Sequence, residues 1–143
     1  MSNLSLFLKK NKKVKAHTYY AATKSLCDAD GEPLKWEIKA LTTAESEDIR
    51  TACTTEVPVT GKMGVYRPKV DSKLYIAKLI ANCVVFPDLY NKELQDSYGV
   101  KTPEELVKQM VDNPVEYNNF AEFVQNFNGL DESMDDKVEQ AKN

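Results

Sequence analysis

DSKLYIAKLIANCVVF, residues 71–86, is the stretch of this sequence that decides the predicted fold. On a helix, its few charged and amide side chains are Lys73, Lys78 and Asn82. A helix that is apolar over most of its remaining surface belongs inside a protein. We therefore predict a buried central helix, capped by Asp71 and ended by Pro87. Its apolar side chains are Leu74, Ile76, Leu79, Ile80, Cys83, Val84 and Phe86.

The residues after this stretch predict three helices that cover it. A short helix over residues 91–98 can end at Gly99 in a left-handed conformation. Thr102-Pro103-Glu104-Glu105 combines an N-cap, a proline at the first helical position and a capping glutamate, which is typical of a helix start. Asn113-Pro114-Val115-Glu116 repeats this pattern and opens a helix that Gly129 closes. The aromatic stripe of this last helix fits a core face better than a docking surface. The stripe consists of Tyr117, Phe120, Phe123, Val124 and Phe127.

The residues before the central stretch predict a β-hairpin and a helix. Residues 28–33 contain Asp and Gly in the order of a tight turn, and residues 34–40 alternate apolar and polar side chains as a strand does. Thr42 and Glu45 form a capping box that opens a helix to about residue 54, with Ile49, Ala52 and Cys53 inward. Residues 57–70 predict a loop or a second, irregular hairpin.

Length and composition predict one folded domain. A chain of 143 residues that is 42% hydrophobic and 29% charged can bury a core without metal or disulfide support. We predict an α+β fold over residues 1–130, mostly a helical bundle with a small N-terminal antiparallel hairpin or sheet. Residues 131–143 form an acidic tail that is either weakly helical or frayed. No window is apolar for long enough to span a membrane.

Charge is unevenly spread along the chain. The net charge is −3, which argues against bulk attraction to nucleic acid, yet six lysines precede the first acidic residue, Asp28. With Tyr19 and Tyr20 as stacking partners these lysines could bind phosphates, but a solvated basic face is favoured. These lysines are Lys9, Lys10, Lys12, Lys13, Lys15 and Lys24.

No catalytic, cofactor or metal site is predicted. His17 is the only histidine and has no evident orienting partner. Gly61-Lys62 resembles a phosphate loop, but Met63 stands where the magnesium-binding Ser or Thr belongs. Cys27, Cys53 and Cys83 are odd in number and far apart, which fits reduced thiols better than disulfides or a metal knuckle.

The N-terminal leader, residues 4–10, is apolar in its first half. Ser2 or Asn3 can cap a short helix there, with Leu4, Leu6, Phe7 and Leu8 on its surface. Lysines follow this patch rather than precede it, so we expect no signal peptide. The apolar side chains either dock on the body of the protein or bind a partner, and the sequence favours neither.

The order of these segments resembles the XkdN-like tail assembly chaperones of tailed phages. The resemblance rests on collinear pattern over nearly the whole chain rather than on a catalytic motif. The matching blocks are the SLFL of the leader, CDADGEPLKWEIKALTTAESEDIR, CTTEVPVTGKMGVYRP, YIAKLIANCVVFPDLYNKELQDSYGVKTPEELV and FNGLDESMDDKVEQAKN.

The resemblance implies a non-enzymatic protein of the host bacterial cytoplasm that binds the phage tape measure protein. It would keep that long chain soluble until the tail tube polymerises, without remaining in the virion. We expect Leu6, Phe7, Leu8 and Tyr66 to bind, because they are apolar outside the predicted core. Further partners are the tail-tube protein and a second copy of the chain. The alternatives are a minor tail component retained in the virion and a small nucleic-acid-binding phage regulator.

The resemblance also suggests a longer product made by a minus-one ribosomal slip. Codons GCA for Ala141 and AAA for Lys142 would let the tRNA re-pair and bypass the stop. The frameshift-extended form would then add a second module to this chain. The other interpretation of residues 141–143 is an ordinary polar tail.

Overall fold

The computed structural model describes residues 3–129, which form helices and two small antiparallel sheets. The α+β class with N-terminal strands is confirmed, and helices contribute more residues than strands. The predicted Ser2 cap and the predicted tail over residues 131–143 lie outside the described residues. The helices are α1 (Thr43–Ala52), α2 (Ser72–Cys83), α3 (Lys92–Ser97), α4 (Pro103–Met110) and α5 (Pro114–Phe127). The strands are β1 (Thr18–Tyr20), β2 (Trp36–Ile38), β3 (Thr54–Pro58), β4 (Tyr66–Val70) and β5 (Val84–Phe86).

Helix α2 is the buried central helix that the sequence predicts. The Asp71 carboxylate accepts a hydrogen bond from the Leu74 backbone N–H at 3.2 Å, which confirms the predicted cap. Helix α2 contacts α1, α4 and α5. These contacts enclose it on several sides, as its wide apolar surface requires. Its buried side chains are Ala77, Leu79, Ile80, Ala81 and Cys83.

The predicted helix was too long at its C-terminal end. Helix α2 stops at Cys83, and the next three residues form β5, which pairs with β2. Phe86, predicted to be inside, is 64% exposed. Pro87 disfavours the helical conformation at the residue before it, and the β-branched Val84 and Val85 favour a strand. The edge of β2 supplies the hydrogen-bond partners that the end of the helix would lack.

The N-terminal hairpin is confirmed and becomes part of a three-stranded sheet. The order is β1-β2-β5, with Tyr20 opposite Trp36 and Thr18 opposite Ile38. Trp36 and Ile38 are buried against the helices, whereas Leu34 lies outside β2 and is exposed, so the strand is shorter than predicted. In the preceding turn, Asp28 Oδ1 accepts hydrogen bonds from two backbone N–H groups.

Both hydrogen bonds of the predicted capping box at the start of α1 are present. Thr42 Oγ1 accepts from the Glu45 backbone N–H, and the Glu45 carboxylate accepts from the Thr42 N–H. Hydrogen bonds from Thr42 and Lys39 hold the pKa of Glu45 below its ordinary value. Ile49 and Cys53 are buried, but Ala52 is exposed, contrary to the prediction. The helix ends at Ala52, and β3 begins at Thr54.

The aromatic stripe of α5 is a core face, as predicted. Phe120 and Val124 are fully buried, and Trp36 meets Phe120 edge-on with ring centroids 5.3 Å apart. Tyr20 stacks on Phe123 at 4.3 Å. These contacts pack the inner face of the three-stranded sheet against α5.

Polar contacts tie the N-terminal half to both ends of α5. At its N-terminal end, the Glu116 carboxylate accepts from Thr23 Oγ1 at 2.8 Å and from the Lys24 backbone N–H at 2.9 Å. At its C-terminal end, Asn128 Oδ1 accepts from the Leu41 backbone N–H at 2.7 Å. Segments about ninety residues apart in sequence are therefore held at fixed positions along one helix.

Truncating Phe120 tests this core. Phe120→Ala should lower the free energy of unfolding by about 3–5 kcal/mol, because it leaves a cavity beneath Trp36. Val115→Ala on the same helix removes an exposed side chain and should change it by less than about 0.5 kcal/mol. Denaturant unfolding of both variants measures the difference. If both variants lost the same free energy of unfolding, Phe120 would not belong to the core.

The Glu116 contacts predict a pH-dependent stability. The hydrogen bonds from Lys24 and Thr23 hold the pKa of Glu116 below its ordinary value of 4.5. Their stabilisation is therefore complete above that value and is lost as the pH falls through the folded-state pKa. Glu116→Gln should lower the melting temperature at neutral pH, and the gap to the native protein should close as the pH falls below the folded-state pKa of Glu116.

Thermal unfolding followed by circular dichroism at several pH values measures this gap. Glu122→Gln, at an exposed position of α5, is the matched control and should leave the melting temperature unchanged. A gap between Glu116→Gln and the native protein that persists unchanged into acid would contradict the assignment.

Candidate functional site

The leader exposes its apolar side chains. In place of the predicted helix it forms two 3-10 turns, Asn3–Phe7 and Lys9–Asn11, neither of which contains a buried residue. So short a segment without a buried face has too little to stabilise an α-helix. Phe7 is 83% exposed, and Leu6 and Leu8 are also exposed. Within this segment, Asn11 Nδ2 donates a hydrogen bond to the Ser5 carbonyl oxygen at 2.6 Å.

Residues 54–70 form a second exposed element, which we call the arm. Strands β3 and β4 pair in register from Thr54 with Val70 to Pro58 with Tyr66, which confirms the alternative of a second hairpin. The hydrogen bond from the Asp71 N–H to the Cys53 carbonyl oxygen, at 2.8 Å, closes its base. Every residue of β4 is exposed, and Met63 at the tip is fully exposed. The arm carries one acidic residue, Glu56, against Lys62, Arg67 and Lys69.

Prolines limit what the arm can bind. The ladder hydrogen bonds at Cys53 and Asp71, and at Val59 and Val65, fix the alternation, so Pro58 and Pro68 stand at the outward-facing backbone positions. Proline has no N–H. Each strand therefore lacks one of the backbone N–H groups that would point away from its partner strand. This arrangement discourages the addition of a further strand. The arm is thus suited to contacts through side chains, with Tyr66 on one face and Val65 on the other.

The outer face of the three-stranded sheet carries a third exposed surface, which we call the aromatic row. Tyr19 pairs with Glu37, and Glu37 pairs with Phe86, so these three side chains share the face opposite the core. Tyr19 and Phe86 are both exposed. Between them, the Glu37 carboxylate lies 2.6 Å from His17 Nδ1. Two aromatic rings therefore flank a polar pair on a rigid scaffold.

The structure places the four predicted binding residues on two separate elements. Leu6, Phe7 and Leu8 lie in the leader and Tyr66 in the arm, all outside the core as the sequence analysis expected. Their role in binding stays a prediction. Sequence reasoning missed Phe86, because it assigned this residue to the buried helix. Pro87 was the available sign that the helix ends earlier.

Buried thiols do not form a reactive centre among residues 3–129. Burial raises the pKa of the Cys83 thiol to about 11, partly offset by a hydrogen bond from Asn128 Nδ2. Burial likewise raises the pKa of Cys53. In the same range, no group of three or more His, Cys, Asp or Glu side chains is placed to hold a metal ion. No helix of the described part is long and apolar enough to cross a membrane.

Substitution of the exposed residues tests whether they are separate from the core. Leu6→Ser, Phe7→Ser and Tyr66→Ser should each change the free energy of unfolding by less than about 0.5 kcal/mol, because the side chains are already largely in water. Leu106→Ser, at a fully buried position of α4, should cost several times more. Denaturant unfolding measures all four variants. A large loss for Phe7→Ser would show that the leader packs on the body of the protein.

Comparison with known proteins gives the same family as the sequence resemblance, over nearly the whole chain. The model of the family described as phage XkdN-like tail assembly chaperone protein matches residues 4–142. The uncharacterized protein YqbN of Bacillus subtilis (strain 168) is 29% identical over 121 residues, which cover 85% of this chain and 80% of YqbN. The phage-like element PBSX protein XkdN of the same strain is 26% identical over 121 residues, with the same coverage.

The fold has a counterpart among solved structures. The crystal structure of the protein YqbN superposes with a TM-score of 0.75 and 23% sequence identity, covering 92% of this chain and 99% of that chain. This similarity supports the arrangement of helices and sheets described above. Because the family model spans nearly every residue, the chain belongs to the phage XkdN-like tail assembly chaperone family.

Proposed function

We propose that this chaperone binds the tape measure protein of its phage and keeps it soluble until the tail tube assembles around it. Membership of the tail assembly chaperone family is the observation that carries the proposal. The exposed apolar side chains of the leader support it, because they are not needed by the core. The proposed role is one of binding and release and needs no catalytic step.

The physical requirement is reversible coverage of apolar surface. A long helical protein that exposes an apolar stripe before assembly tends to aggregate. Small proteins that each cover a short part of it can bind weakly one by one and still mask the whole chain. A segment such as the leader suits this purpose, because it has few contacts to lose when it moves onto a partner.

Within this proposal the leader makes the main contact. Phe7 is the most exposed of its apolar side chains, and Leu6 and Leu8 flank it. Tyr66 in the arm adds a second exposed aromatic side chain. Aromatic anchors at the centre of an interface commonly contribute most of its binding energy.

Co-expression with the tape measure protein tests the function. The native chaperone should raise the soluble fraction of the tape measure protein and should be captured with it. Phe7→Asp should reduce that capture at least about tenfold, because an apolar contact is replaced by a buried charge. Tyr66→Asp should reduce it to a smaller degree.

The control replaces an exposed apolar residue elsewhere. Val115→Asp lies in the first turn of α5, where a negative charge is tolerated, and should leave the soluble fraction unchanged. Undiminished capture by Phe7→Asp would remove the leader from the interface. If the native chaperone leaves the tape measure protein insoluble, the proposed function itself is wrong.

The alternative of a virion component gives a different result in purified particles. Mass spectrometry of finished tails should not detect the chaperone, and stoichiometric amounts there would favour a structural role. Nucleic-acid binding has less support, because Tyr20, one of its two stacking residues, is stacked on Phe120 and Phe123 in the core.

A further inference from the structure

An open groove lies between the end of β5 and helix α3. Its volume is about 420 Å³, and its apolar lining comes from Phe86, Pro87 and Leu94. Asp88 and Glu93 line the same groove, which we call the acidic groove. Its size lies within the range of protein sites that hold ligands.

The acidic groove is held in shape by hydrogen bonds around α3. The Asn91 side chain caps this helix by accepting a hydrogen bond from the Leu94 backbone N–H at 2.9 Å. Gln95 Nε2 donates a hydrogen bond at 2.8 Å to the carbonyl oxygen of Leu89, whose side chain is buried in the core. A groove that is formed before binding has little conformational freedom to lose when a partner binds.

The negative charge of the acidic groove is not neutralised by the described part of the chain. Within residues 3–129, neither Asp88 nor Glu93 belongs to an ion pair. None of the described residues that line the groove is a lysine or an arginine. Two uncompensated carboxylates beside apolar surface attract a cationic partner.

The acidic groove continues onto the aromatic row. Phe86 belongs to both, because it lines the groove and shares the outer face of the sheet with Tyr19. Both aromatic side chains are exposed. The faces of aromatic rings attract lysine and arginine cations, and the attraction is stronger when water is excluded. This surface therefore offers a cation both carboxylates and aromatic rings.

We propose that the acidic groove binds a segment of a partner protein that carries lysine or arginine on both sides of a bulky apolar side chain. The apolar side chain packs against Phe86 and Leu94, and the cations lie beside Asp88 and Glu93. Opposite charges across such an interface determine the choice and orientation of the partner more than they add affinity. This inference goes beyond the tape measure assignment and does not depend on it.

A second copy of the chain is the competing occupant. Its leader also joins apolar side chains to lysines, but Lys9, Lys12 and Lys13 already line a separate groove of their own chain, beside the loop from β2 to α1. In the arm, Tyr66 and Arg67 are consecutive residues of one strand, so the aromatic side chain and the cation lie on opposite faces. We therefore assign the acidic groove to a different protein.

Fluorescence anisotropy with the full-length chain tests the proposal. The probe is a fluorescein-labelled peptide, Gly-Lys-Ser-Lys-Leu-Phe-Lys-Ser-Lys-Gly, and a second probe has glutamate in place of every lysine. The basic probe should show saturable binding, and the acidic probe should bind at least about tenfold more weakly, because its charges repel the groove. A third probe, with serine in place of leucine and phenylalanine, should also bind more weakly. Equal binding of the three probes would overturn the proposal.

Neutral substitutions in the groove test the charges. Asp88→Asn with Glu93→Gln should weaken binding of the basic probe by about three- to tenfold, because exposed ion pairs each contribute modestly. Asparagine keeps the hydrogen bond that the Asp88 side chain accepts from the Tyr90 backbone N–H. Asp112→Asn with Glu122→Gln changes the net charge equally at exposed positions outside the groove and should leave binding nearly unchanged. Equal losses in the two double variants would mean that net charge alone attracts the probe, and the proposal would be wrong.

A further substitution tests the apolar contact. Phe86→Ser should weaken binding of the basic probe by about tenfold, because aromatic anchors commonly contribute much of the binding energy of an interface. Val115→Ser removes an apolar side chain of similar exposure on α5 and should leave binding nearly unchanged. Circular dichroism should show that both variants are folded. Undiminished binding by folded Phe86→Ser would contradict the assignment of the groove.

Sedimentation velocity of the full-length chain without peptide distinguishes a partner protein from a second copy. The sedimentation coefficient of the native chain should be unchanged by Asp88→Asn with Glu93→Gln. If the native chain self-associates and these substitutions abolish the association, a second copy occupies the groove and the proposal is wrong. Neither result alters the outcome expected for Phe7→Asp in co-expression, so the two proposals fail separately.

Discussion

The packing of α2 against α1, α4 and α5 is the contact on which the rest of the structure depends. Leu79 and Ile80 have no exposed surface, and fully burying one such side chain contributes about 1.5–3 kcal/mol. A helix with so little polar surface cannot remain stable in water alone. The surrounding helices and the sheet therefore fold as its cover, and the remaining elements attach to that cover.

Attachment of the N-terminal half depends on a few polar contacts to α5. The carboxylate of Glu116 holds the Thr23–Lys24 backbone, and the amide of Asn128 holds Leu41. Such contacts add modest stability compared with the core, but they are directional. Lys15 lies at that same C-terminal end of α5, where its ammonium group donates a hydrogen bond to the Phe127 carbonyl oxygen.

The apolar surface outside the core is divided into small pieces. The leader, the arm and the aromatic row each expose a few apolar side chains beside charged ones. A single larger patch would favour association between copies of the chain. Short patches on elements with few tertiary contacts can instead bind a partner and release it. This division is consistent with the family of tail assembly chaperones, whose members act during assembly.

The sequence alone was sufficient wherever structure depends on near neighbours. Asp71, Thr42 and Asn113 cap helices through N–H groups within three residues, and the stripe of α5 follows helical spacing. The sequence left open whether the apolar residues of the leader pack on the body of the protein or bind a partner, and the structure leaves Leu6, Phe7 and Leu8 exposed. Residues 84–86 were assigned wrongly, because an apolar run fits a buried helix and a buried strand equally well.

Only the tertiary structure decided between those possibilities. Residues 84–86 pair with the edge of β2 as a strand. This pairing places Phe86 on the outer face of the sheet, the same face as Tyr19. A hydrogen bond likewise joins Lys15 to the end of α5, more than a hundred residues away. Contacts between distant segments depend on how the core closes, and no local pattern of residues contains that information. Local chemistry thus specified most of the helices, whereas closure of the core specified β5 and which surfaces remained exposed.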